Sequence, residues 1–323
     1  MNALYFNIYD YRIEIKSADF PLKHLKINAD FSFFSTLKNS DNQLQVTITE
    51  LRPFTKKGFK VGSTRMCEVR QVGFRSRQLI YSNSGRALAI VSDTTSATGR
   101  KVEIQAINPE IIDDVLYFLV NACAGEFLDA NGIMRVHAFS FLGDSGRIVY
   151  GASGAGKSTL ALSILNNSAL RIYSDEISLF DLRRKILLPY PIRISAADSG
   201  SANDGTAKFN IYFGKKTLFK IPDERIAPVA PVKALFILKP GETENASANW
   251  YDKLKLAFEI SFGIGLIQMW EYFLRLDNFG VLFVIFYRRL KLAALLLKLN
   301  PLCLASRRPI PELTATIEHG IIL

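Results

Sequence analysis

The chain is poor in the residues that build disulfide frameworks and zinc sites. Its 323 residues include 3 cysteines, and Cys67, Cys123 and Cys303 are far apart and form no C-x-x-C pair. Both kinds of site need cysteines at short, repeated spacings, so neither is expected. The first residues, MNALYFNIYDYRIEIK, contain no basic segment followed by an apolar stretch. This argues against a signal peptide and favours a reducing cytoplasm.

The sequence also lacks an uncharged run long enough to span a bilayer. The longest runs in the C-terminal third cover residues 260–270 and 278–287, whereas a transmembrane helix needs about 20 apolar residues. Charged residues interrupt this region at helical spacing: Glu259, Glu271, Arg275, Arg288 and Arg289. We therefore expect no transmembrane segment and buried amphipathic helices instead, with a membrane-surface role as the remaining alternative.

Positive charge exceeds negative charge, and the formal net charge is +10. The densest basic stretch spans residues 52–77 and contains Lys56, Lys57, Lys60, Arg65, Arg70, Arg75 and Arg77. Two interpretations stay open for it, namely a solvated face of a β-rich region or a surface for an acidic peptide or protein substrate. No segment resembles a nucleic-acid-binding module, so no nucleic-acid partner is expected.

A hydrophobic content of 49% and the pattern of apolar residues predict a folded, mixed α/β protein. Three regions are expected: a β-rich N-terminal region over residues 1–105, a core over 106–250, and a helical C-terminal region over 251–323 packed on the core. Alternating apolar and polar residues indicate the strands of the first region. Asn108 and Pro109 predict the start of a helix, and Asn131-Gly132 predicts its end.

The strongest chemical signal is the run GASGAGKS at residues 151–158, a full match to the phosphate-binding loop (P-loop) pattern G-x-x-x-x-G-K-[ST]. Its glycines let consecutive N–H groups surround a polyphosphate, while Lys157 reaches the β- and γ-phosphates and Ser158 holds Mg²⁺. An apolar strand at 147–150 and a helix from 158 put a helix N-terminus under the phosphates. The predicted nucleotide-binding residues are Gly151, Ala152, Ser153, Gly154, Ala155, Gly156, Lys157, Ser158 and Thr159.

The segments around this loop predict two hairpins. In the first, residues 134–142 and 147–150 pair across a turn at 143–146, so Leu142 faces Arg147 and His137 faces Ala152. After the loop helix, an apolar strand at 170–174 ends in Asp175-Glu176. The second hairpin joins 177–180 to 185–188, and a late strand covers 232–238. Residues 195–208 are small and polar and predict a flexible loop that closes over a substrate.

The spacing of the acidic pair excludes two common nucleotide-binding classes. Only one short helix separates Lys157 from Asp175, whereas ATP-binding cassette proteins place a long insertion there. The chain also has no LSGGQ signature and no N-K-x-D guanine motif. A compact site is expected instead, in which His137, Lys157, Ser158, Asp175 and Glu176 converge on one phosphate.

The run RVHAFSF…GRIVYGASGAGKSTL…RIYSDEISLFD…LPYPIRIS resembles the catalytic domain of the HPr serine kinase/phosphorylase family, and most of all the smaller HPr-kinase-related proteins. The specific part of the resemblance covers residues 134–195. It implies a P-loop fold of the type shared with ATP-dependent phosphoenolpyruvate carboxykinase, with mixed β-sheets. It further implies that Asp175 is the general base for a substrate hydroxyl, that Glu176 and Ser158 hold Mg²⁺, and that His137 sets the protonation of Asp175. Arg193 is a weaker candidate for stabilising the transferred phosphoryl group, and a surface role is its alternative.

Two departures from the family pattern narrow the expected substrate. HPr kinase itself has two aspartates where this chain has Asp175-Glu176, and its downstream glycine-rich signature, tied to phosphorolysis, is missing here. Both argue against HPr as the acceptor. The related branch includes enzymes that phosphorylate a serine of ribosomally made peptides, such as lasso peptide precursors, and others that act on free small molecules.

The sequence therefore predicts an ATP- and Mg²⁺-dependent kinase acting on a serine of a peptide or protein. A kinase for free serine or a polyol, and a non-catalytic ATP-binding regulatory or assembly protein, are the alternatives. Homo-oligomerisation stays open.

Overall fold

The computed structural model describes residues 2–38, 41–63, 67–197, 206–210, 214–242, 244–262, 275–305, 312–313 and 316–317. The fold is mixed α/β, with several β-sheets and few helices. The chain divides into two compact units: unit 1 comprises residues 1–128, 209–214 and 269–281, and unit 2 comprises 129–208, 215–268 and 282–323. The predicted boundaries at 105/106 and 250/251 do not coincide with this division.

Unit 1 is built on an eight-stranded sheet. Its strands are β1 Asn2–Ile8, β2 Tyr11–Ser17, β3 Leu44–Glu50, β4 Phe59–Ser63, β5 Cys67–Gly73, β6 Ser76–Asn83, β7 Arg86–Ser96 and β8 Gly99–Ala106. Their order is β1-β2-β3-β8-β7-β6-β5-β4, with β2, β3 and β8 parallel. Alternation sets the buried face, since Leu44, Val46 and Ile48 are all buried while the residues between them are more accessible.

Two helices complete unit 1: α1 Lys26–Asp30 and most of α2 Pro109–Ala130. The predicted start of α2 is confirmed, because the Asn108 side chain accepts the backbone N–H of Ile111 at 3.0 Å. Its predicted end is also confirmed, since Gly132 lies just beyond with φ +88°. Residues 111–125 of this helix are all buried, and they include the polar residues Asp113, Asp114 and Asn121. The helix is therefore enclosed on all sides and does not pack along a single apolar face.

A buried ion cluster changes the interpretation of part of the basic stretch 52–77. Asp93 accepts from Arg77 at 2.8 Å and from Arg100 at 2.7 Å, and all three side chains are buried. Burial alone raises the pKa of Asp93, but Arg100 and Arg77 outweigh it and hold that pKa below its usual range. Arg77 is therefore part of the interior of unit 1 and not of a solvated basic face.

Unit 2 is built on a nine-stranded mixed sheet. Its strands are β9 Ile133–Val136, β10 Ala138–Leu142, β11 Gly146–Gly151, β12 Arg171–Ser174, β13 Ser178–Asp181, β14 Ile186–Leu188, β18 Ala230–Lys239, β19 Ala246–Ser247 and β20 Leu302–Ala305. The order is β12-β10-β11-β18-β14-β13-β9, with β20 beside β18 and β19. A smaller sheet contains β15 Ile194–Ala197, β16 Thr206–Asn210 and β17 Gly214–Phe219.

Helices cover both faces of the larger sheet: α3 Lys157–Asn167 on one side, and α4 Trp250–Phe262 and α5 Phe279–Leu297 on the other. The alternation of β11 explains this, because Ile148 and Tyr150 join the cluster with α4 and α5, while Val149 joins that with α3. Among the residues that the structure describes, no helix has the length and apolarity to cross a membrane. Residues 263–274 lie outside the described residues. They include Glu271, one of the charged residues that interrupt the apolar C-terminal region.

Three local predictions need correction. Leu142 pairs with Gly146 and not with Arg147, because the turn has three residues, closed by Gly143 N–H to Ser145 O at 3.1 Å. The expected pairing of His137 with Ala152 is therefore off by one position, and the strand is interrupted at His137. Ile194–Ala197 and Thr206–Asn210 are strands within the predicted loop 195–208, whose residues 198–205 lie outside the described part. Leu302–Ala305 is a strand in the region predicted to be helical.

Candidate active site

The candidate site lies at one edge of the larger sheet of unit 2. β11 and β18 are parallel, and β12 runs in the same direction as β11 because both are antiparallel to β10. Their carboxyl ends therefore meet at the same edge, the usual place for a binding crevice in such sheets. The residues that follow β11 and β12 are the glycine-rich loop, defined as residues 151–158, and the pair Asp175-Glu176.

Glycine is required in this loop by backbone conformation and by crowding. Gly154 and Gly156 have φ of +79° and +99°, a region that other L-residues adopt only with strain. A Cβ at Gly151 would lie 3.1 Å from the backbone oxygen of Leu238. Gly156 precedes the first turn of α3 and has no side chain to cap it. The first N–H groups of α3 thus remain available to an anion.

Lys157 folds back onto the strand from which the loop emerges. Its Nζ donates to the backbone oxygens of Gly151 at 2.7 Å and Ala152 at 3.1 Å. Burial lowers the pKa of Lys157, while the negative charges of Asp175, Glu176 and Glu259 act in the opposite direction. The ammonium group is therefore held by two carbonyl groups and is influenced by the charges of three carboxylates.

Asp175 is a buried carboxylate in contact with the helix that follows the loop. Ser158 and the backbone of Ser195 hydrogen-bond to it. Within the described residues, its Oδ1 has no hydrogen-bond partner although the side chain is buried. Burial raises the pKa of Asp175 to about 7, the charge of Glu176 adds to this, and the Ser158 hydrogen bond opposes it. An acid with one unsatisfied oxygen and a pKa near neutrality is suited to accept a proton.

His137 and Glu176 are joined through the backbone. The Nδ1 atom of His137 lies 3.1 Å from the backbone oxygen of Glu176, and because a carbonyl oxygen only accepts, Nδ1 is the donor. His137 connects β9 to β10, so this bond ties that junction to the acidic pair. The structure thus brings His137, Lys157, Ser158, Asp175 and Glu176 to one edge. The roles assigned to them stay predictions.

Glu259 is a third acid at this site that the sequence did not indicate. It lies on α4, accepts a hydrogen bond from Tyr150, and contributes to the charge around Lys157. Burial, with the Glu259 carboxylate second, raises the pKa of Tyr150. No local pattern marks Glu259, because it reaches the loop only when α4 packs on the sheet.

The remaining sequence predictions have mixed outcomes. The second hairpin is confirmed as β13 and β14, and Asp181 closes its turn by accepting the N–H groups of Arg183 and Arg184 at 2.9 and 3.0 Å. Arg193 is buried, so its alternative as an ordinary surface arginine is wrong. In the part of the chain that the structure describes, no group of three His, Cys, Asp or Glu residues is arranged to hold a metal ion.

Comparison of the chain with protein-family models found no match, and neither did comparison with curated protein sequences. The chemistry of the site therefore rests on its own residues.

Proposed function

We propose that this chain is an ATP- and Mg²⁺-dependent kinase with a P-loop core, which transfers the γ-phosphate to a serine-type hydroxyl of a peptide or protein. The observation that carries the proposal is Asp175. It is a buried carboxylate with a pKa of about 7, hydrogen-bonded to Ser158 at the start of α3 and with Oδ1 unsatisfied within the described residues.

Nucleotide binding is supported by the glycine-rich loop and the uncapped N-terminus of α3. Consecutive N–H groups and the positive end of the helix dipole both favour a polyphosphate. In the free chain the Lys157 ammonium is bound to the Gly151 and Ala152 carbonyl oxygens. Phosphate oxygens carry more negative charge than these carbonyls, so a bound triphosphate draws Lys157 towards itself.

The residues present fit a Mg²⁺ ion. This ion keeps several waters and needs only one or two carboxylates besides the substrate phosphates, so a three-acid cluster is unnecessary. The Ser158 hydroxyl and the Glu176 carboxylate are the groups that would hold it. The ion supplies neutralisation of the phosphate charge.

The transfer step requires a proton acceptor for the substrate hydroxyl. Asp175 Oδ1 takes that proton as the hydroxyl oxygen forms its bond to the γ-phosphorus. The bond between the γ-phosphorus and the β,γ-bridging oxygen breaks, and ADP leaves with the electron pair. Lys157 and the loop N–H groups stabilise the charge on the transferring group.

The proposal is tested by incubating the purified chain with γ-labelled ATP, Mg²⁺ and candidate acceptors, namely serine-containing peptides encoded by neighbouring genes and free serine. Asp175→Asn should lower transfer by about 10²- to 10⁴-fold and retain ATP binding, because it removes the base and leaves the loop intact. Asp144→Asn is the matched control, since its side chain is 98% exposed and remote from the carboxyl edge.

Three outcomes are informative. If Asp175→Asn transfers label as well as the unaltered chain, Asp175 is not the base. If free serine is labelled and no peptide is labelled, the chain is a small-molecule kinase and not a peptide kinase. Tight ATP binding without transfer to any acceptor would favour a nucleotide-dependent regulatory protein.

A further inference from the structure

Two helices of unit 2 each expose a stripe of apolar side chains. On α4, Phe258 is 62% exposed and Phe262 is 48% exposed, while Leu256 and Ile260 are buried in the core. On α5, Phe283 is 74% exposed and Tyr287 is 54% exposed, while Leu292 and Leu296 are buried. Each helix thus carries apolar side chains on its exposed side as well as on its buried side, whereas the exposed side of a helix on a solvated surface is mostly polar.

The two stripes form a continuous surface. The ring centroids of Phe258 and Phe262 are 4.8 Å apart, and those of Phe262 and Phe286 are 5.1 Å apart, which joins α4 to α5. We call this surface the aromatic face, made of Phe258, Phe262, Phe283, Phe286, Tyr287 and Leu290. Contiguous exposed aromatic side chains, unlike single scattered ones, are typical of an interaction surface.

Lysines carry the exposed charge of these helices. Lys255 and Lys291 are exposed, and Lys291 Nζ lies 4.4 Å from the centre of the Tyr287 ring. The sequence of α5 contains no acidic residue. On α4, Asp252 is paired with Lys239 at 2.8 Å and Glu259 with Tyr150. The aromatic face is therefore bordered by positive charge, and the acids of α4 are engaged elsewhere.

We propose that the aromatic face docks unit 2 on the surface of a bilayer that contains anionic phospholipids, lying on the membrane and not crossing it. Aromatic side chains suit the level of the headgroups, and the lysines are complementary to anionic headgroups. A second copy of the chain is the competing occupant, and it would bring the same positive border against itself. Charge complementarity therefore favours the lipid surface, independently of the proposed kinase activity.

The test is co-sedimentation of the full chain with phosphatidylcholine vesicles, with and without phosphatidylglycerol. Binding should require phosphatidylglycerol and weaken with added salt. The double change Phe283→Ser/Tyr287→Ser should weaken binding about tenfold or more, because it removes two exposed aromatic groups that the bilayer would bury. Lys255→Gln and Lys291→Gln should each weaken it about fivefold and leave the apolar surface intact. Phe74→Ser in unit 1 is the matched control, because Phe74 is also an exposed aromatic residue, at 64%, but is not part of the aromatic face. This change should leave vesicle binding unaltered.

Thermal unfolding of each variant checks that it is folded, and the lysine variants keep the test valid if the serine variant is not. The proposal is wrong if the chain does not bind phosphatidylglycerol vesicles, or if Phe74→Ser weakens binding as much as the aromatic changes. It is also wrong if light scattering shows that the aromatic face joins two copies of the chain and the vesicles bind neither form.

Discussion

Replacing Asp175 by asparagine should stabilise the fold at neutral and alkaline pH, and in the proposed kinase it should lower phosphoryl transfer by about 10²- to 10⁴-fold. The pKa of Asp175 is 3.8 in its ordinary state and about 7 in the folded chain, where burial is the main cause. Between these values the folded state binds more protons than the unfolded state, so stability falls as pH rises. Above pH 7 the ionised carboxylate costs about 4 kcal/mol of folding free energy, because each pKa unit corresponds to about 1.4 kcal/mol.

Asparagine has the same shape without the charge, but its amide group does not match every hydrogen bond of the carboxylate. This mismatch removes about 1–2 kcal/mol of the gain. The net expectation is a rise of about 2 kcal/mol in the free energy of unfolding above pH 7, or about 4–8 °C in Tm for a unit of this size.

The assay is thermal unfolding of Asp175→Asn and of the unaltered chain between pH 4 and pH 9. Near pH 4 the variant should be about 1 kcal/mol less stable, because the hydrogen-bond mismatch then outweighs the small cost of charge. The difference should change sign as the pH rises and stay constant above pH 7. Asp144→Asn, with its exposed side chain, should show no such pH dependence. If the difference in unfolding free energy between Asp175→Asn and the unaltered chain is zero, or does not change with pH, the claim that burial raises the pKa of Asp175 is refuted.

Three further changes test the loop, the third acid and the helix cap. Gly156→Ala should destabilise the chain by about 1–2 kcal/mol in denaturant unfolding, because alanine is strained at φ +99°, and it should weaken ATP binding measured by calorimetry. Glu259→Gln should tighten ATP binding about threefold in the same calorimetric assay, because it removes a negative charge near Lys157; weaker binding would contradict this. Asn108→Ala should cost about 1 kcal/mol in denaturant unfolding, through loss of the bond to the Ile111 N–H, and an unchanged midpoint would contradict the capping role.

The predicted stability cost of Asp175 and its proposed role as a base have the same structural origin. A general base must lose water to gain a pKa near neutrality, and burial without a full set of hydrogen bonds achieves that. The same burial makes the ionised group unfavourable in the folded state. Among the described residues the Oδ1 atom of Asp175 has no hydrogen-bond partner, a cost that a proton donor such as the hydroxyl of the proposed substrate would offset.

The sequence predicted the elements whose signals are local. The cap at Asn108, the second hairpin with its turn at Asp181, and the strand over 232–238 were all confirmed, because each depends on residues within a few positions of one another. The predicted pairing of the strands in the first hairpin was wrong by one residue. Its turn residues are all small or polar, and Gly146 belongs to the strand because it pairs with Leu142 and with Val232 of the distant strand β18.

The sequence by itself determined the glycine-rich loop, the acidic pair and the order of strand, loop and helix between them, since glycine and charge act through the backbone next to them. Tertiary structure alone decided that Asp175 would be buried against Ser158, and that Glu259 on α4 would face Tyr150 and Lys157. It also decided that the aromatic rings of α4 and α5 would face outwards. The physical reason is that burial and charge proximity are properties of packed surfaces, and residues far apart in the chain supply the two sides of each contact.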